Sequence, residues 1–215
     1  IRGFTNIQVS MNTQAIMDEL DLILFEFDSI LRKYNILKIK KIGDSYMAAG
    51  GIPLKNMTNP IQVVMAALEI GDFLNTLPAK MGRKEKIWEL KMGIHTGPVV
   101  ASTTGTKKIS YDIKGDTVNI ASRMVTYGKD NAVLISVMTY ELVKELFDCD
   151  YFGKMPVKYK GDLEMFEVKG LKLEFSENGN GRTTNKAFNT RFKLVQFTDM
   201  QEVILERLEK ELPKF

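Results

Sequence analysis

Residues 111–124 read Tyr-Asp-Ile-Lys-Gly-Asp-Thr-Val-Asn-Ile-Ala-Ser-Arg-Met, a strand end, a turn through Gly115 and the opening turns of a helix. Thr117 is placed to cap this helix, because its hydroxyl can accept a bond from a free N–H of the first turn. Asn119 and Arg123 are four apart and project from one helix face. A neutral donor beside a fixed cation suits a phosphoryl group that gains charge as it reacts. The same pair also suits a solvated helix surface.

A second block, Lys38 to Gly51, alternates apolar and polar residues on both sides of Gly43-Asp44. That pattern marks a β-hairpin with Asp44 at its turn. Gly-Asp is ordinary turn chemistry; a carboxylate at a hairpin tip is also a ligand for a hard metal ion. Alternation would put Lys40 on the same face as Lys38, so strand geometry alone does not single it out.

Around these blocks, Ile16, Leu20, Ile23, Leu24, Phe27, Ile30 and Leu31 form one buried stripe of a helix over residues 12–34. Asn59-Pro60 reads as N-cap and first helical position of a helix to about Leu77. Residues 79–87 form a basic, solvated loop. Leu90–His95, Val99–Thr103 and Ile109–Ile113 read as strands, and 116–127 as the helix already described. Val133–Ser136, a helix at 137–147 and strands at 151–158 and 163–168 follow. This order points to an α/β (α+β sandwich) architecture. Residues 176–198, whose first part is rich in Gly and Asn, read as a polar linker, and 199–215 as a C-terminal amphipathic helix, a possible lead-in to a further domain.

Composition narrows the function classes. The chain has 215 residues, 44% hydrophobic and 27% charged, with net charge +3, the profile of one globular domain without wholesale nucleic-acid binding. Cys149 is the only cysteine, so an intrachain disulfide is impossible, and a reduced structural thiol in a cytoplasmic setting is expected. No apolar run approaches the ~18 residues of a membrane span, so no membrane contact by this stretch is expected. His95 is the only histidine, which excludes a histidine-based general base or metal cluster. Its place in the strand turn reads as structural. An RNA-binding sheet would interleave exposed aromatics with basic residues, and residues 36–42 have none.

Four segments together, Ile1-Arg2-Gly3-Phe4-Thr5, Lys38 to Gly51, Met92 to Val100 and Tyr111 to Met124, resemble the class III nucleotidyl cyclase catalytic domain, in the family's order. The resemblance runs from Ile1 to about Val168, and a catalytic domain over 1–175 is expected. It implies a ferredoxin-like βαββαβ sheet with helices packed on it. It also implies conversion of a nucleoside triphosphate to the 3′,5′-cyclic monophosphate and pyrophosphate, assisted by two Mg²⁺ or Mn²⁺ ions. By the same resemblance Asp44 is one metal carboxylate and Ile1 offers a backbone carbonyl to a metal. The second carboxylate would directly precede Ile1. The chain begins inside this motif and is expected to be a piece of a longer polypeptide.

The resemblance assigns the remaining groups as well. Gly3, Phe4 and Thr5 match the turn whose backbone approaches the phosphates, and Lys107 and Lys158 match triphosphate contacts. Tyr159 stands where the family often has glycine, which makes Lys160 an alternative to Lys158. Asn119 matches the ribose contact and Arg123 the α-phosphate contact. Lys40 and Asp112 match the base-reading pair. A lysine donor with an aspartate acceptor suits adenine, whereas Glu with Cys suits guanine. The leading expectation is therefore an adenylate cyclase acting on ATP, working as a homodimer with shared sites. The alternatives are a catalytically silent cyclase-like module that binds nucleotide or a partner, and a guanylate cyclase.

Overall fold

The computed structural model describes residues 13–84, 87–105, 110–158 and 161–211. A four-stranded sheet at its centre has the order β3-β6-β8-β7, with β3 (Met92–Ile94), β6 (Val133–Ser136), β7 (Phe147–Val157) and β8 (Gly161–Leu171). β3 and β6 are parallel and the other pairs antiparallel. Two hairpins stand beside it, β1 (Leu37–Ile42) with β2 (Ser45–Ala49) and β4 (Val100–Thr104) with β5 (Ser110–Lys114).

β6 explains the layering. All of Val-Leu-Ile-Ser is buried, and successive side chains of a strand point to opposite faces. Val133 and Ile135 join one core with Ile23, Phe27, Val64 and Leu74 from α1 (Thr13–Lys33) and α2 (Asn59–Lys80). Leu134 joins a second, smaller core with Met155, Met165 and with Ile120 and Met124 of α3 (Asp116–Tyr127). The sheet is thus covered on both faces, α1 and α2 on one and α3 on the other. The short α4 (Val137–Val143) stacks Tyr140 on Phe166 with centroids 4.0 Å apart.

From α1 to β3 the order helix, hairpin, helix, strand is the αββαβ part of the expected βαββαβ unit. The opening strand would fall on residues 1–12, outside the described residues.

Several boundaries differ from the sequence reading. Thr117 does not cap α3. Gly115 holds the cap position, and Thr117, already inside the helix, donates its hydroxyl to the Pro98 carbonyl at 2.6 Å. The helix expected at 137–147 stops at Val143, because a turn carries Leu146 into the main core and Phe147 joins that core as the first residue of β7. β7 and β8 are longer than expected. Pro156 is tolerated in β7 because that strand lies at the sheet edge.

In the basic loop, Arg83 is not solvated. It pairs with Glu19, only 5% exposed, which also accepts from Trp88 Nε1 at 2.8 Å. A buried carboxylate needs such donors. The stretch expected as a linker over 176–198 is instead turns followed by a helix, α5 (Lys186–Glu211), that begins well before residue 199. Asn185 starts the helix by accepting from Phe188 N at 3.0 Å, and Phe188 is buried in the main core. Arg182 ties the preceding turn to Asp72 of α2 at 2.9 Å.

Candidate functional site

The β1–β2 hairpin closes through the pair Ile42–Ser45, leaving Gly43 and Asp44 as the two-residue turn. Gly43 has φ 59°, a conformation glycine adopts without steric cost. Asp44 is exposed at the tip, a hard oxygen donor held on a tight turn. No group of three or more His, Cys, Asp or Glu side chains suited to a metal occurs among the described residues. Asp44 is one oxygen donor of the kind a hard metal ion takes. The other expected ligands, at and before Ile1, are outside the described residues, as are Gly3, Phe4, Thr5 and Lys107.

Lys40 and Asp112 are brought together. Lys40 Nζ lies 2.6 Å from Asp112 Oδ1, joining β1 to β5. The hydrogen bond from Lys40 is the main reason that the Asp112 carboxyl sits below the usual carboxylate range. Partial burial opposes it, and the Lys40 charge, the Ile113 N–H and the Lys114 charge assist.

Lys38 and Lys40 do not share a partner, as simple alternation would suggest. A bulge lies between them, and an extra residue in one strand breaks the two-residue period. Lys38 goes to Asp28 of α1 at 2.9 Å, leaving Lys40 for Asp112. Asp28 also accepts from the Tyr46 hydroxyl. Burial pushes the Asp28 carboxyl up, but the bonds from Tyr46 and Lys38 outweigh it and hold it below the usual range. The sequence reading missed Asp28. The available signal was an acidic residue directly beside Phe27 on the buried stripe of α1.

Asn119 and Arg123 are exposed on α3, while Ile120 and Met124 of the same helix are buried. Lys158 directly follows the last residue of β7 and is exposed. A cavity of about 430 Å³ between these elements is lined by Pro98, Thr117, Ile120, Met138, Val157 and Leu163, among others. His95 Nδ1 lies 2.7 Å from Ser136 Oγ, and Thr96 Oγ1 lies 3.0 Å from Thr139 Oγ1. The turn after β3 is thereby pinned to the start of α4.

α3 rests directly on β3 at Gly93. A Cβ there would come within 2.8 Å of the Ala121 carbonyl oxygen and 3.0 Å of Met124 Cβ.

The chain matches the profile of the adenylate and guanylate cyclase catalytic domain over residues 1–170. Guanylyl cyclase C of Sus scrofa is 32% identical over 205 residues, covering 93% of this chain and 19% of that protein. The chain thus spans about a fifth of that relative. Among solved structures, the guanylate cyclase domain of RhGC from Catenaria anguillulae in complex with GTP has TM-score 0.69 at 31% identity, covering 80% of this chain and 93% of that one. The adenylyl cyclase CyaB from P. aeruginosa has TM-score 0.69 at 27% identity, covering 78% and 88%.

Proposed function

The chain belongs to the adenylate and guanylate cyclase catalytic domain family, and from that premise we propose that it closes a purine nucleoside triphosphate to its 3′,5′-cyclic monophosphate, with adenine as the preferred base. The ribose 3′ hydroxyl gives its proton to solvent, its oxygen forms a bond to the α-phosphorus, the bond from that phosphorus to the bridging oxygen breaks, and pyrophosphate leaves with the electron pair. Arg123 stabilises charge that grows on the α-phosphate, and Asn119 orients the ribose. Fixed donors aimed at developing charge supply much of the rate of such reactions. Lys158 and Lys107 hold the triphosphate. Asp44 would hold a divalent cation, which when bound lowers the pKa of the attacking hydroxyl and offsets phosphate charge. The groups divide between two protomers of a homodimer in this reading, with Asp44 on one and Asn119 and Arg123 on the other.

The observation that carries the base assignment is the Lys40–Asp112 contact at 2.6 Å. Adenine offers its amino group to a carboxylate and its N1 to an ammonium donor, so the base can enter by replacing one bond with two. The comparisons support a different base. Guanylyl cyclase C and the RhGC domain are guanylate cyclases by name, and on overall relatedness guanylate is the better-supported reading. Overall identity is spread over the scaffold, whereas base choice depends on few contacts.

Side-by-side kcat/KM for ATP and GTP decides between them. A preference for ATP that is eroded in Lys40→Glu/Asp112→Cys supports the adenine assignment. A preference for GTP in the unaltered protein makes guanylate cyclase the answer.

A further inference from the structure

The geometry points to Asp28 as a positioning residue that sets base selectivity by holding the β1–β2 hairpin at a fixed offset from β5. This rests on the assignment of Lys40 and Asp112 as the base-reading pair.

The chemistry of that pair favours adenine only while the two groups keep their relative positions. Adenine presents an amino donor at C6 and an acceptor at N1. Guanine presents an acceptor at C6 and a donor at N1. A lysine and an aspartate can satisfy either base if they slide by one edge atom, so that each faces the other's former position. Selectivity therefore lies in where Lys40 stands relative to Asp112. Asp112 is part of the β4–β5 hairpin, paired to Ser102. Lys40 is on the other hairpin, and the difference in their positions depends on what fixes β1.

Asp28 fixes both of its strands. Its Oδ2 accepts from Lys38 of β1 at 2.9 Å and its Oδ1 accepts from Tyr46 of β2. The Lys38 ammonium also lies 5.3 Å from the centre of the Tyr46 ring, close enough for a cation–π contact. Phe27, next to Asp28 and fully buried, meets the Tyr46 ring edge-on at 5.8 Å. One carboxylate on a helix rooted in the main core thus grips both strands of the hairpin that carries Lys40 and, at its turn, Asp44.

Asp28→Asn keeps the size and one acceptor but loses the charge for Lys38. Tyr46→Phe and Lys38→Gln each remove one arm and keep the carboxylate. The measurement is the ratio of kcat/KM for ATP to that for GTP, together with the equilibrium binding ratio of non-reacting ATP and GTP analogues, well below each variant's Tm. Asp28→Asn should lower both ratios roughly tenfold, the size expected when a hydrogen-bonding site loses its fixed geometry. In a Lys40→Ala background the same change should have no further effect on selectivity.

A purely structural role would lower Tm and reduce both nucleotides alike, leaving the ratios unchanged. That result overturns the inference while the base assignment stands. If Lys40→Ala itself leaves the ratios unchanged, the base assignment fails and this inference falls with it. Should Asp28→Asn not fold, Tyr46→Phe and Lys38→Gln decide, and unchanged ratios in both overturn it equally.

Discussion

The β1–β2 hairpin and helix α3 carry four of the groups assigned to the reaction, Lys40, Asp44, Asn119 and Arg123, and they are held by different means. α3 is seated through apolar side chains, Ile120 and Met124 over a core of Leu134, Met155 and Met165. The hairpin packs Tyr46 and Ala48 on the main core, but its aim is set by polar contacts, from Lys38 and Tyr46 to Asp28 and from Lys40 to Asp112. Apolar seating is non-directional and scales with buried area. Charged hydrogen bonds fix direction but depend on every partner being present and ionised. The carboxylate proposed for the metal and the lysine proposed for the base thus sit on the element whose aim is set by polar contacts. The groups assigned to the ribose and the α-phosphate sit on the element whose placement is apolar.

The largest expected effect tests whether the two elements serve one reaction from two chains. Asp44→Ala and Arg123→Ala should each lower kcat by about 10²–10³ or more. Mixing the two at high concentration should recover up to about half the wild-type rate per heterodimer, since one of its two sites carries neither lesion. Heterodimers that form and show no recovery would break the two-chain reading.

A smaller effect separates the two modes of seating. Met124→Ala opens a cavity beneath α3 at a fully buried side chain and should cost about 2–5 kcal/mol of stability by denaturant unfolding. Asp28→Asn should cost less, about 1–3 kcal/mol. If Asp28→Asn proves the more destabilising, the hairpin is not a peripheral element clamped to α1 but part of the folding core.

The smallest effect is the response to acid. Asp28 and Asp112 both have carboxyl pKa values held below the usual range. A group whose folded pKa is depressed contributes stability that is present above its unfolded value and is lost as pH falls through the folded one. Hydrogen-exchange protection, corrected for the intrinsic rate, should thus fade in β1 and β2 below the ordinary carboxylate range. α3, with an apolar seat, should keep its protection further into acid. Simultaneous loss would remove the distinction.

The same contrast explains what was legible in the sequence. α3 and the stripe of α1 could be read because apolar burial writes a 3.6-residue period into the chain. The Gly43-Asp44 turn could be read because its geometry demands such residues. The bulge between Lys38 and Lys40 could not, since nothing in the local residues announces it and its result, separate partners for two lysines two residues apart, depends on α1 and β5. Thr117 was misread because its true acceptor, the Pro98 carbonyl, lies on a remote turn. The 176–185 stretch looked like a linker because its polarity resembles disorder. Its Asn and Arg side chains in fact bond to backbone and to Asp72.

Gly93 has a mechanical meaning. With no side chain at that point, the backbone of α3 bears directly on the backbone of β3. Methionine is a compliant filler, and a helix resting on methionines alone would have a soft bed. Peptide units cannot be compressed, so the strand acts as a datum surface against which the helix is gauged. Asn119 and Arg123 on the outer face inherit that fixed height, set by an atom the chain leaves out.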